Sequence, residues 1–164
     1  MGTTSQALAA HFESKLHDAV SLLTTLDDTD WTKVTEAEQW SVGVTAHHYA
    51  SILEPVGELV SALAAGQAPE RFTRATLDEM NAQHARDHAH CTRAETIALL
   101  EKSGASTAAV LRGLSDEQLA KRGTVLTDTP PLTVEQLIAL VLIKHADQHF
   151  GSIRKTIGRL LGSA

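Results

Sequence analysis

Residues 137–154 constrain the fold of this chain more than any other stretch. Apolar Ile138, Val141, Leu142 and Ile153, with Ile157 just beyond, recur at three- and four-residue steps. That is the period of one long amphipathic helix with a buried stripe. His145 and His149 interrupt the stripe. Four residues apart, their imidazoles leave the same face, one turn above the other. Two neutral imidazoles at this spacing can grip one divalent metal ion. Two ligands are too few for a site, so the rest of the chain must supply at least one more.

A chain of 164 residues reads as one domain, spanning 1–164, with enough material for a real core. Its net charge of -6 and its lack of any lysine- or arginine-rich run argue against nucleic acid as a partner. No apolar run approaches the roughly 20 residues that cross a bilayer, so no membrane association is expected. The first residues carry no basic-then-apolar signal pattern. Cys91 is the single cysteine, so an internal disulfide is excluded and the expected location is cytoplasmic. Nine histidines are the one compositional oddity.

Four helical stripes follow in order. Leu8, Phe12, Leu16, Val20 and Leu23 define a first helix, capped by Thr3 or Thr4 and ending near Leu26. His11 and His17 lie beside its stripe and read as surface residues. Residues 27–30 are a polar break, and 31–39 a connector in which Trp31 looks buried. Ser41 is a good N-cap for a second helix over residues 42–65, stopped by Gly66 and kinked or divided by Pro55. Val44, His48, Ile52 and Val56 share one of its faces, which points His48 rather than His47 inward. A third helix starts near Arg74, with Leu77, Asn81, His84, His88 and Cys91 along one side. Thr92 to Glu95 is a capping-box pattern that restarts or bends it, and it then runs to Leu114 with Gly104 as a weak point. Ser115 opens a short turn, Pro130-Pro131 enforces extension, and a second capping box at Thr133–Gln136 opens the histidine helix, frayed at its end by Gly158 and Gly162. Four long helices with one stripe each predict an all-α four-helix bundle with little room for strands.

Three of these helices carry an inward-facing histidine, and bundles build metal sites from facing helices. The first candidate site is therefore His48 with His145 and His149. Three imidazoles leave a coordination position open, the pattern of a catalytic metal. The competing reading is that core histidines hydrogen-bond one another. Ala146 stands where H-E-x-x-H metalloproteases place their glutamate, which removes the support for peptide hydrolysis. His84, His88, His90 and Cys91 form a second cluster with three readings: another metal site, a polar half-exposed helix face, or, for His84 or His88, a proton donor or acceptor in catalysis. Glu54 and Glu58 read as a solvated face.

Trp40-Ser41 followed by His48, then His145-x-x-x-His149-x-Gly-x-Ile, resembles the DinB/YfiT-like superfamily. Asn81, residues 94–101 and residues 111–119 are similar to that family's third helix and the turn after it, so the likeness spans nearly the whole chain in order. The resemblance implies a four-helix bundle holding one divalent metal, nickel or zinc, on His48, His145 and His149. It also implies a homodimer acting on a small molecule. Characterised relatives include thiol-dependent transferases and the mycothiol-dependent maleylpyruvate isomerase. The function it implies is activation of a low-molecular-weight thiol for transfer or addition to a small electrophile, with an isomerase or hydrolase using bound water, or a non-catalytic metal-binding protein, as alternatives. Asn81 and Arg154 are the candidate substrate-binding residues. Tyr49 and the His84/His88 pair depart from the family's usual pattern.

Overall fold

The computed structural model describes residues 2–158. Helix α1 spans Thr3–Thr24 with Gly2, not a threonine, at the N-cap position. The expected polar break contains a short helix, α2 (Asp28–Thr32), because the Asp27 carboxylate accepts from the Asp30 amide. Helix α3 is Val42–Ala64, capped by Ser41 and running through the exposed Pro55 without division. The chain then turns at Gly66, whose φ of +79° is the left-handed conformation glycine adopts without steric cost.

The expected third helix is two helices. α4 (Arg74–Asp87) ends at His88, and α5 (Arg93–Arg112) starts from the capping box of Thr92 and Glu95. A four-residue α6 (Asp116–Leu119) and a two-residue antiparallel ladder, β1 (Arg122–Gly123) with β2 (Leu132–Thr133), follow. The last helix is continuous but changes pitch. It opens as α7 (Val134–Leu137), widens into a π segment (Ile138–Lys144) and finishes as α8 (His145–Thr156). Gly162 lies outside the described residues. Among the described residues no helix is long and apolar enough to cross a membrane.

Four rods make the bundle: α1, α3, α5 and the C-terminal rod. Packing runs from α3 to α5, α5 to α1, α1 to the C-terminal rod and back to α3. Helices α1 and α3, consecutive among the four rods, are therefore diagonal. Thr107 of α5 donates to the Leu53 carbonyl of α3 partway along both, and both start at the end where Trp31 donates to Cys91, so α3 and α5 run parallel. That arrangement needs a return segment, and α4 supplies it. Helix α4 carries no buried residue. Its polar sequence fits an outer strap rather than a member of the bundle.

The core is apolar and continuous, from Phe12 and Leu23 through Leu53, Leu100 and Leu111 to Ile138, Leu142 and Ile153. Every residue from Val42 to Ala50 is buried. The start of α3 is thus covered on all sides, by the C-terminal rod, by α4 and by Trp31. A Cβ at Gly43 would lie 2.5 Å from Trp31 Nε1 and 2.6 Å from Cε2. The indole is rigid and tied by its N–H to the Cys91 carbonyl at 2.9 Å. Gly43→Ala must displace it, and we expect a loss of about 1–3 kcal/mol in denaturant unfolding.

Candidate metal centre

The site is assembled at the α3 start. Ser41 accepts from the Val44 amide at 3.0 Å, which fixes the first turn and so the rotation of the helix carrying His48. Trp40, on the other side of the cap, sets its ring edgewise on the His48 ring with centroids 5.2 Å apart. Opposite, the C-terminal rod presents His145 and His149 from successive turns. The rod widens into its π segment immediately before them. Near the end of that segment the buried Tyr49 hydroxyl donates to the Leu142 carbonyl at 2.5 Å. That bond locks α3 to the rod one residue from His48 and three from His145.

His48, His145 and His149 each offer a ring nitrogen, all within 4.8 Å of one another. His145 Nε2 and His149 Nε2 are 2.9 Å apart. Ring centroids stand 5.2 Å from His48 to His149 and 5.8 Å from His48 to His145. Burial, reinforced by the neighbouring imidazoles, pulls His48 down to about 3 from the ordinary 6.5. Burial and His149 pull His145 down to about 4, against a hydrogen bond with Gln148 and the charge of Glu38. Both rings are therefore neutral at neutral pH, the form that carries a lone pair for a metal.

Sequence reasoning missed Glu38. The connector folds back as a tight loop in which the Thr35 amide donates to the Trp40 carbonyl at 2.8 Å and Gln39 takes a φ of +59°. This aims the Glu38 side chain at α8. Its Oε1 accepts from His149 Nδ1 at 2.9 Å and its Oε2 from the Ser152 hydroxyl at 2.7 Å. Burial alone would raise the Glu38 carboxyl, but hydrogen bonds from Ser152, Thr35 and His149 outweigh it and hold the group below the usual range. A carboxylate on Nδ1–H fixes the tautomer of His149 and leaves the Nε2 lone pair facing His145 and His48. No spacing rule links Glu38 to residues more than a hundred positions later. The only local signal was an acidic residue two positions before Trp40.

The donor set fits a divalent metal. With bonds of about 2.1 Å, two nitrogens on one ion stand roughly 3.0 Å apart at a right angle and roughly 3.4 Å apart at the tetrahedral angle, and His145 and His149 are 2.9 Å apart.

His84 and His88 do not join this triad. They pack on His47, forming a second group whose ring nitrogens also lie within 4.8 Å of one another. His47 was expected to face away from the interior, yet it too is buried, though less completely than His48. At the covered start of α3, neighbouring residues on two sides are both enclosed. Asn81 is half-buried on α4, one turn before His84. Arg154 is partly buried on α8, five residues past His149 and so about 140° round the helix. His90 is exposed, as are His11 and His17. Burial raises the Cys91 thiol, offset in part by a hydrogen bond with Thr96, which argues against a reactive thiolate. Two grooves of about 440 and 550 Å³ lie farther along α3, past Glu54 and Glu58 and beside Gly66 and Lys121, and neither is lined by a histidine. Volume without a converging set of metal-ligating side chains is the weaker argument for chemistry.

A family model for the DinB superfamily matches residues 11–153, and the chain belongs to that superfamily. Its fold is similar to that of YfiT from Bacillus subtilis, described as a probable metal-dependent hydrolase with an unusual four-helix bundle topology. The TM-score is 0.77 at 16% identity, over 98% of this chain and 91% of that one. An uncharacterised protein from Clostridium difficile 630 is equally similar, with TM-score 0.77 at 15% identity over 98% and 99% of the two chains. A mycothiol-dependent maleylpyruvate isomerase aligns with TM-score 0.71 at 13% identity over 93% of this chain and only 63% of its own. At such identities the likeness speaks for the fold. No curated protein matches the chain.

Two outcomes follow from this geometry. Unfolded histidine titrates near 6.5, while folded His48 and His145 titrate near 3 and 4, so below 6.5 the unfolded chain binds protons that the folded chain refuses. Stability of the metal-free protein should hold above neutrality and fall as acid is added, by about 2 kcal/mol per buried imidazole at about pH 5. Urea titrations in chelator across that range check this. Separately, Glu38→Gln keeps the shape but loses the charge that orients His149. Metal affinity should drop by about 10- to 100-fold in equilibrium dialysis with an unchanged circular-dichroism spectrum.

Proposed function

We propose that this DinB-superfamily chain is a metal-dependent enzyme that activates a low-molecular-weight thiol for transfer or addition to a small electrophile. The observation that carries the reading is the convergence of three imidazoles, His48, His145 and His149, one of them oriented by Glu38. Nickel or zinc suits an all-nitrogen donor set of this kind. A divalent ion held there acidifies a thiol or water beside it and so supplies a nucleophile at neutral pH.

The chain's own residues do the rest. Burial keeps His48 and His145 neutral and free of competing protons. Glu38 and Ser152 hold His149 in one tautomer and rotamer. Trp40 packs against His48 and restricts its ring. Asn81, half-buried on α4, offers a polar contact for a bound small molecule. The thiol reading draws on the fold shared with a mycothiol-dependent isomerase, and the likeness to a probable metal-dependent hydrolase favours water in the same position as the second reading.

The untagged protein should carry metal on the triad, and His48→Ala and His149→Ala should each lose it while staying helical. With metal loaded, turnover of small electrophiles that requires added thiol supports the first reading. Turnover undiminished without thiol selects the second, and unchanged metal content in both variants overturns the triad.

A further inference from the structure

The His47, His84 and His88 group stands apart from the triad and has no part in the function proposed above. His47 Nδ1 and His84 Nε2 are 3.2 Å apart. The His47 and His88 rings stack at 4.1 Å, and the His84 and His88 rings stand 4.5 Å apart. His84 lies in the last turn of α4 and His88 caps its C-terminus, while His47 reaches them from α3. Consecutive residues on a helix diverge by about 100°, so His47 and His48 send their rings to adjoining sides of α3. His84 lies between the two groups, its ring 5.6 Å from that of His48.

A second observation is independent of the ring geometry. Helix α4 spans fourteen residues and buries none of them. A polar helix of that length has little intrinsic stability and no apolar stripe to hold it against a bundle. His84 and His88 meet the bundle through His47, by a ring-nitrogen contact and by stacked rings. Like imidazoles clustered without a shared ligand gain little from one another. Burial and the neighbouring imidazoles hold His47 and His84 below the ordinary histidine range, so the rings are neutral, and one carboxylate lies near each: Glu95 at the start of α5 beside His47, and Asp87 beside His84. That is the field a cation prefers.

We propose that His47, His84 and His88 bind a second divalent ion of the zinc class, next to the first, and that this ion fastens α4 to the bundle. Three nitrogen ligands favour zinc, cobalt or nickel over calcium or magnesium. The two ligand sets share no residue, so each site can be deleted by substitution without removing a ligand of the other. Removing the second ion should loosen α4 and leave the four rods intact.

The test is equilibrium dialysis of the full-length, untagged, chelator-stripped protein against zinc alone, with zinc and protein quantified by elemental and amino-acid analysis. Two equivalents are expected for the unmodified chain. The double variant His84→Asn/His88→Gln alters only the strap, whose residues are unburied, and should retain one equivalent. His149→Ala should also retain one. Amide hydrogen exchange over Arg74–Asp87 should slow at least tenfold on the second equivalent in the unmodified chain and not in the double variant. His88→Gln alone, a milder change, should weaken the second equivalent at least tenfold.

A single equivalent in the unmodified chain that survives the double variant overturns the second site and leaves the triad standing. Two equivalents undiminished in the double variant also overturn it. A single equivalent lost in the double variant but kept in His149→Ala supports the second site and removes the first.

Discussion

The start of α3 is buried on every side, and the rest of the site depends on that enclosure. Nine consecutive residues, Val42 to Ala50, have no exposed face. Two of them are histidines and one is a tyrosine. A buried polar side chain without a partner costs roughly 1–3 kcal/mol, so each of these must be answered from a neighbouring element. Tyr49 finds the Leu142 carbonyl, His47 finds α4, and His48 faces the C-terminal rod. The polar network and the packing therefore specify each other.

The C-terminal rod stays continuous through this contact but changes pitch. It is a π helix from Ile138 to Lys144, where the Leu142 carbonyl accepts from the Tyr49 hydroxyl, and it returns to α-helical pitch at His145. Pitch changes of this sort recur at functional sites because they re-aim side chains without breaking the helix. Here the change falls directly before the two histidines that face His48.

The diagonal order of the rods has an equally direct consequence. Because α3 and α5 run parallel, the chain must travel back along the outside between them, and α4 is that path. The loop joining diagonal α1 and α3 must likewise cross the bundle end, which is where it delivers Glu38 to His149. Two connections that would be short hairpins in a simple up-and-down bundle instead become parts of the site.

The helical stripes, the caps at Ser41, Thr92, Ser115 and Thr133, and the facing of His48 toward the H-x-x-x-H pair were all legible from sequence, because each depends on residues within a few positions of one another. So was the family, carried by Trp40-Ser41, His48 and the late histidine pair. The division of α4 from α5 was half visible: the capping box at Thr92 marked a restart, but nothing local said that the two pieces serve different layers. Glu38, the inward turn of His47, the π segment and the rod order were decided only by tertiary structure. Each depends on which distant surfaces meet, and hydrophobic period alone does not rank the ways four similar rods can be ordered.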